Sequence, residues 1–295
     1  MPSASVNGIS IEYDEHGDAD APPLLLVMGL GGQLVGWPVE FVEQLAAAGP
    51  FRVIRYDNRD VGLSTHVDAP PPTIRQQVGA VLSRRLARSA YLLSDMARDG
   101  IGLLDHLGIA RAHVVGMSMG GMIVQTMAIE HPERVASMTS VMSNTGDRKH
   151  GKAKMRLLRK MASFARRRRK GADPIDLGVE SFRLISGPHF DEAGLRQMTA
   201  EALERSDDVE GTARQLMAIQ ASPDRTEGLR GVTAPTLVVH GLVDPLVQPD
   251  GGMATAQAVP GARLVMYPDM GHDLPRPRWG QMIGEIVETA ASAGG

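Results

Sequence analysis

Cysteine is absent from the 295 residues. That excludes disulfide staples, thiolate nucleophiles and cysteine-held metal sites. Aromatic residues are scarce, at two Trp, four Tyr and five Phe against 17 Met. Pocket walls are therefore expected to be aliphatic and methionine-rich, able to fit irregular apolar shapes. No apolar run approaches the ~18 residues of a membrane-spanning helix. The first eight residues lack the basic and apolar pattern of a secretory leader, so a cytoplasmic location is the expectation. Neither sign of charge dominates. A formal net charge of −3 argues against polyanion binding by the chain as a whole. Without staples, stability must come from burial, and a chain this long can bury roughly 75% of its unfolded surface.

Against those absences stands a regular alternation. Strand-sized apolar runs fall at 9–13, 24–28, 52–56, 113–117, 135–142, 236–240 and 263–267, and helical patterns at 38–47, 91–107, 119–130, 252–258 and 279–290. Alternating strands and helices with nearly continuous apolar strands predict an α/β fold, a mostly parallel sheet covered on both faces. Ligands in such sheets bind beyond the carboxyl ends of the strands. The alternation stops between residues 144 and 229, which read as mostly helical and polar. The expected organisation is a core of 1–143 and 230–295 with a helical cap inserted at 144–229. Residues 67–88, with Pro70, Pro71 and Pro72 near their start, read as irregular.

The run Gly116-Met117-Ser118-Met119-Gly120 ends one strand and opens a helix. A turn this sharp has no room for side chains two residues before and after its apex, so both positions call for glycine. It would lift the Ser118 hydroxyl out of the sheet and aim the Met119 N–H at the same point. A serine hydroxyl needs a base within hydrogen-bond reach, and that base needs a carboxylate to hold its tautomer. Downstream, Asp244 and His272 follow the ends of successive strands, in the order this architecture uses. Asp147, Asp250 and Asp269 compete for the carboxylate role. His240, inside an apolar strand, reads as a packed histidine. A second oxyanion donor is expected from the loop Met28-Gly29-Leu30-Gly31-Gly32, first from the Leu30 N–H, with Gly31 or Gly32 as alternatives. Met28, Gly29, Gly31, Met117 and Met122 are the candidate pocket residues. No charged residue stands beside Ser118, which favours a bulky, mostly apolar ester.

These stretches, with 57–64 (Asp-Asn-Arg-Asp-Val-Gly-Leu-Ser), Gly241 to Pro245 and Gly271-His272, resemble the α/β-hydrolase family over essentially the whole chain. Val27 to Gly31 followed by Gly36-Trp37-Pro38, together with Tyr56 to Asp60, resemble its aclacinomycin methylesterase-like esterases and lipases. The resemblance implies an eight-stranded sheet, a helical cap, a Ser118–Asp244–His272 triad acting on a small-molecule ester, and no cofactor or metal. It also implies that Met28, where many members carry histidine, is a pocket difference, and that 57–59 is a structural clamp. The same triad serves lactonases, thioesterases, cofactor-free haloperoxidases and slow-turnover receptors, which the fold does not separate.

One segment stands outside this reading. Residues 148–170 hold twelve Lys/Arg and no acidic residue, ending in Arg166 to Lys170. Met155, Leu158, Met161, Ala162 and Ala165 recur at helical spacing and are expected to pack. The rest is a solvated basic face or a weak contact for anionic lipid or an acidic partner. Nucleic acid is not expected, since the overall charge is acidic.

Overall fold

Eight strands and eleven α-helices alternate along residues 2–294, the residues described by the computed structural model. The strands are β1 (Ser3–Val6), β2 (Ile9–His16), β3 (Pro23–Val27), β4 (Arg52–Tyr56), β5 (Ala112–Met117), β6 (Val135–Val141), β7 (Thr236–Gly241) and β8 (Arg263–Tyr267). The core helices are α1 (Val39–Ala48), α2 (Ile74–Leu82), α3 (Leu93–His106), α4 (Met119–Glu130), α10 (Asp250–Ala258) and α11 (Trp279–Ala291). Between β6 and β7 come α5 (Met155–Arg169), α6 (Pro174–Ile185), α7 (Glu192–Arg205), α8 (Val209–Ala221) and the single turn α9 (Thr226–Leu229).

The sheet runs β1-β2-β4-β3-β5-β6-β7-β8. β1 and β2 are antiparallel to their neighbours, and every later pair is parallel. β3 shows why the sheet is covered twice. Leu25 and Val27 enter one core with residues of α3 and α4, while Leu24 and Leu26 enter the other with Phe41 of α1 and Ile283 of α11. Successive side chains point to opposite faces, so a run of consecutive leucines requires helices on both sides.

The structure adds two elements to the sequence reading. β1 pairs with β2 across Asn7-Gly8, whose φ values of 49° and 78° suit a two-residue hairpin turn. The alternating polar residues of so short a strand hid it. Within 67–88, expected to be irregular, α2 forms behind a capping box. The Thr73 hydroxyl accepts the Gln76 N–H (3.3 Å), and the Gln76 side chain accepts the Thr73 N–H (2.8 Å). The prolines before it end at the cap and leave the helix free to start.

The packing face of α5 also differs. Leu157 is buried, whereas Met155, Leu158 and Ala162 are exposed; the Ala165 side chain lies outside those described. α9 packs on α4, with Leu229 wholly buried in the core.

Candidate active site

β5 ends at Met117, and Ser118 adopts φ 57°, ψ −117°, a conformation that side chains rarely take. The surroundings impose it. The Ser118 N–H donates to the Val141 carbonyl (2.9 Å), and the Ser118 carbonyl accepts the Ser143 hydroxyl (2.8 Å) and the Met122 N–H (3.2 Å). A β-carbon on Gly116 would strike the Gly120 carbonyl, and one on Gly120 the Val27 carbonyl. The two glycines are therefore a steric requirement of helix α4 crossing β5 and β3 at close range.

The loop after β8 brings His272 to this turn. Its Nε2 lies 3.0 Å from Ser118 Oγ, and its Nδ1 lies 2.7 Å from Asp244 Oδ2. With Nδ1–H donating to the carboxylate, Nε2 is left to accept the hydroxyl proton. Asp244 is 1% exposed, and its second oxygen accepts the N–H groups of Leu246 (2.8 Å) and Val247 (2.9 Å). Burial acts to raise the Asp244 carboxyl, but the charge of His272 and the hydrogen bonds outweigh it and hold it down to about 2.

The three competing carboxylates are engaged elsewhere. Asp147 meets His150, Asp250 accepts the Gly151 N–H, and Asp269 pairs with Arg278 and His189. His240, read from the sequence as a packed histidine, is fully buried with Nε2 on the Val247 carbonyl (2.8 Å), but the same nitrogen also lies 3.6 Å from Asp244 Oδ2.

Because the folded Asp244 pKa lies below its unfolded value near 3.8, this group favours the folded state above that pH. The contribution, on the order of 2 kcal/mol, is lost as pH falls from about 4 to about 2. Thermal unfolding followed from pH 7 down to pH 2 is expected to show a smaller acid-induced drop in Asp244→Asn than in the parent. Equal drops would mean that the carboxylate is not held down.

On the side of the candidate oxyanion donors, Gly29 lies against Ser118: a β-carbon there would come within 3.1 Å of Ser118 Cβ. The alternatives Gly31 and Gly32 are already engaged. The Gly31 N–H donates to Gln215 Oε1 (2.8 Å) and the Gly32 N–H to the Gly29 carbonyl (3.1 Å). Leu30 N–H and Met119 N–H, the latter at the first position of α4, have no protein partner among the described residues. Of the pocket candidates, Met117 is half-buried, whereas Met28 and Met122 are 7% and 6% exposed and fill the two cores. Met28 folds back under Gly32 and Gly36.

Residues between β6 and β7 hold this site in ways no local sequence signal announces. The His272 N–H donates to the Ile185 carbonyl at the end of α6 (2.7 Å). Gln215 of α8 takes the Gly31 N–H and donates to the Arg59 carbonyl (2.8 Å). The Gln33 amide donates to the Ala202 carbonyl of α7 (2.7 Å). The 57–60 segment ties everything together: Asp57 accepts the Leu34 N–H (2.7 Å) and pairs with Arg205, Asn58 donates to the Met28 carbonyl (3.1 Å), and Asp60 pairs with Arg214 (2.8 Å). A cavity of about 190 Å³ lies between these parts, lined by Gly31, Gln33, Val61, Thr199, Leu203 and Thr212.

Comparison with known proteins agrees with this architecture. Residues 22–275 match the family model described as the alpha/beta hydrolase fold. Two curated relatives are rhodomycin D methylesterases, DauP of a Streptomyces species (31% identical) and DnrP of Streptomyces peucetius (30% identical), each aligned over 93% of this chain and 93% of the relative. Among solved structures, the enol-lactonase from Burkholderia xenovorans superposes with a TM-score of 0.75 at 24% identity, covering 98% of this chain and all of the other, a likeness of fold. With most of the chain, residues 22–275, matched to that family model and an eight-stranded, mostly parallel sheet, the chain belongs to the α/β-hydrolase family.

Proposed function

We propose that this protein is a serine carboxylic-ester hydrolase of the methylesterase type, working through an acyl-enzyme on Ser118. The observation that carries the reading is the unbroken relay from Ser118 Oγ through His272 to Asp244, at 3.0 Å and 2.7 Å. In this reading His272 takes the Ser118 proton as Oγ attacks the ester carbonyl. The Leu30 and Met119 N–H groups receive the charge that develops on the carbonyl oxygen. His272 then returns the proton to the departing alcohol, and water, activated by the same imidazole, releases the acid. Asp244 stays ionised and stabilises the imidazolium throughout.

The names of the two methylesterase relatives support a methyl ester, whose alcohol is small, leaving the bulk of the substrate on the acyl side. The cavity beside the oxyanion loop is smaller than the ~300–1,000 Å³ of a typical ligand site.

A fluorophosphonate probe should label the parent at Ser118, and methyl esters of bulky apolar acids should be turned over faster than esters of small charged acids. Labelling at another residue, or a preference for small charged acids, would overturn the corresponding half of the proposal.

A further inference from the structure

The helix that the sequence concealed carries an unusual surface. Along α2 and the turn after it, Ile74, Val78, Val81, Leu82 and Leu86 are 71%, 54%, 69%, 76% and 57% exposed. The four on the helix stand at spacings of 4, 7 and 8 residues, which places them in one stripe about 100° wide. Soluble surfaces scatter single apolar side chains; a contiguous outward stripe marks an interaction site. The helix is also held in place. Its start is capped by Thr73, its other face meets α8, and the Arg148 guanidinium donates to the Ala80 carbonyl (2.6 Å) in its last turn.

Charge says what this stripe faces. Arg75, Arg85 and Arg88 are exposed around it, and 69–94 contains no Asp or Glu. Arg148, which fastens α2, opens the acid-free basic stretch 148–170, and Arg84 donates back to the Gly146 carbonyl (2.6 Å). Together 73–88 and 148–170 hold 16 of the 31 Lys/Arg, so a chain of net charge −3 concentrates half its cations in two joined, acid-free stretches. Arg167 and Arg168 pair with Glu180 and Asp207, while Arg156, Arg159, Lys160 and Arg166 of α5 are exposed without an ion pair among the described residues. A second copy of the chain would set arginine against arginine across such a contact. A nucleic acid would leave the aliphatic stripe uncovered. An anionic bilayer satisfies both features, taking the stripe among its acyl chains and the guanidiniums among its headgroups.

We propose that α2 and the adjoining start of the basic stretch form a docking face for an anionic lipid bilayer, with α2 lying in the plane of the interface. The full chain is tested by flotation with phosphatidylcholine vesicles, with and without phosphatidylglycerol, over a salt series. The expected result is partition onto the phosphatidylglycerol vesicles only, weakening as salt rises. Arg85→Gln with Arg88→Gln should cut partition about fivefold per residue, and Leu82→Glu by roughly tenfold or more. Unfolding temperature and turnover of a short soluble ester should match the parent in all these variants. No partition of the parent, equal partition onto both vesicle types, or unaltered partition of Leu82→Glu would each overturn the proposal. A parent dimer that Leu82→Glu converts to a monomer, without vesicle binding, would assign the stripe to a second copy and overturn it too.

Discussion

Replacing Ser118 or His272 by alanine is expected to lower ester turnover by about 10⁶-fold, with little change in unfolding temperature for Ser118→Ala. The size follows from the relay. Without the hydroxyl there is no acyl-enzyme, and without the imidazole the hydroxyl keeps its proton at neutral pH. Either loss disables the same step, so Ser118→Ala with His272→Ala should be no slower than either single variant. What remains, roughly 10³–10⁴ over water, belongs to the oxyanion donors, which are backbone groups and survive both changes. Asp244→Asn should cost less, about 10⁴-fold, by leaving His272 in the wrong tautomer. Stability is expected to hold because Ser118 hydrogen-bonds its neighbours through its main chain, and alanine occupies the same strained φ of 57° with the same β-carbon. Rates on a p-nitrophenyl ester and a melting curve check both halves. Parental turnover by Ser118→Ala would remove Ser118 from the chemistry.

A different kind of loss is expected from Asp60→Ala: about 3–5 kcal/mol of stability, seen as a fall of roughly 10 °C in the first unfolding transition. Asp60 is 0% exposed and Arg214 is 7% exposed, so the carboxylate and the guanidinium neutralise each other out of water. Asp60 also accepts the Tyr91 hydroxyl (2.6 Å) and the Val67 N–H (2.7 Å). Truncation would take from the buried Arg214 its closest carboxylate, leaving it the Ala69 carbonyl and the more distant Asp208, and would leave the buried Tyr91 hydroxyl and the part-buried Val67 N–H without their partner. It would also place alanine at φ 72°, where aspartate is tolerated better. The intact pair is not thereby a large net stabiliser, since desolvation offsets much of its attraction. Replacing both charges together, Asp60→Asn with Arg214→Met, should therefore cost less than Asp60→Ala alone. Because Arg214 and Gln215 are neighbours on α8, the loss should reach the Gly31 loop and reduce turnover as well. A melting temperature within 2–3 °C of the parent, about 1 kcal/mol, would show that the pair contributes little.

Much of this protein was legible from local pattern. Strand β8 and helix α4 lie where their apolar runs put them, the strand a short run between Gly261 and Pro268 and the helix a longer one directly behind the serine turn. The serine turn was legible because its glycines answer a steric need within a few residues. β1 was not, being short and half polar, although Asn7-Gly8 announced its turn. α2 was not, because its apolar stripe faces outward and carries no signature of burial. Leu158 was misread for the mirror reason: helical spacing identifies a stripe but does not say whether anything lies against it.

By itself the chain determined what each segment can do. It set which stretches extend, which coil, where a hydroxyl stands at a strand end and which loops carry histidine or aspartate there. Tertiary structure alone decided among the candidates: that Asp244 rather than Asp147, Asp250 or Asp269 meets the imidazole, that Gln215 occupies the Gly31 N–H and leaves that of Leu30 open, and that α2 turns its leucine and valines to the outside. These choices depend on strand order and helix packing between residues 28 to 184 positions apart. No periodicity, turn signal or spacing within one segment encodes a distance of that kind.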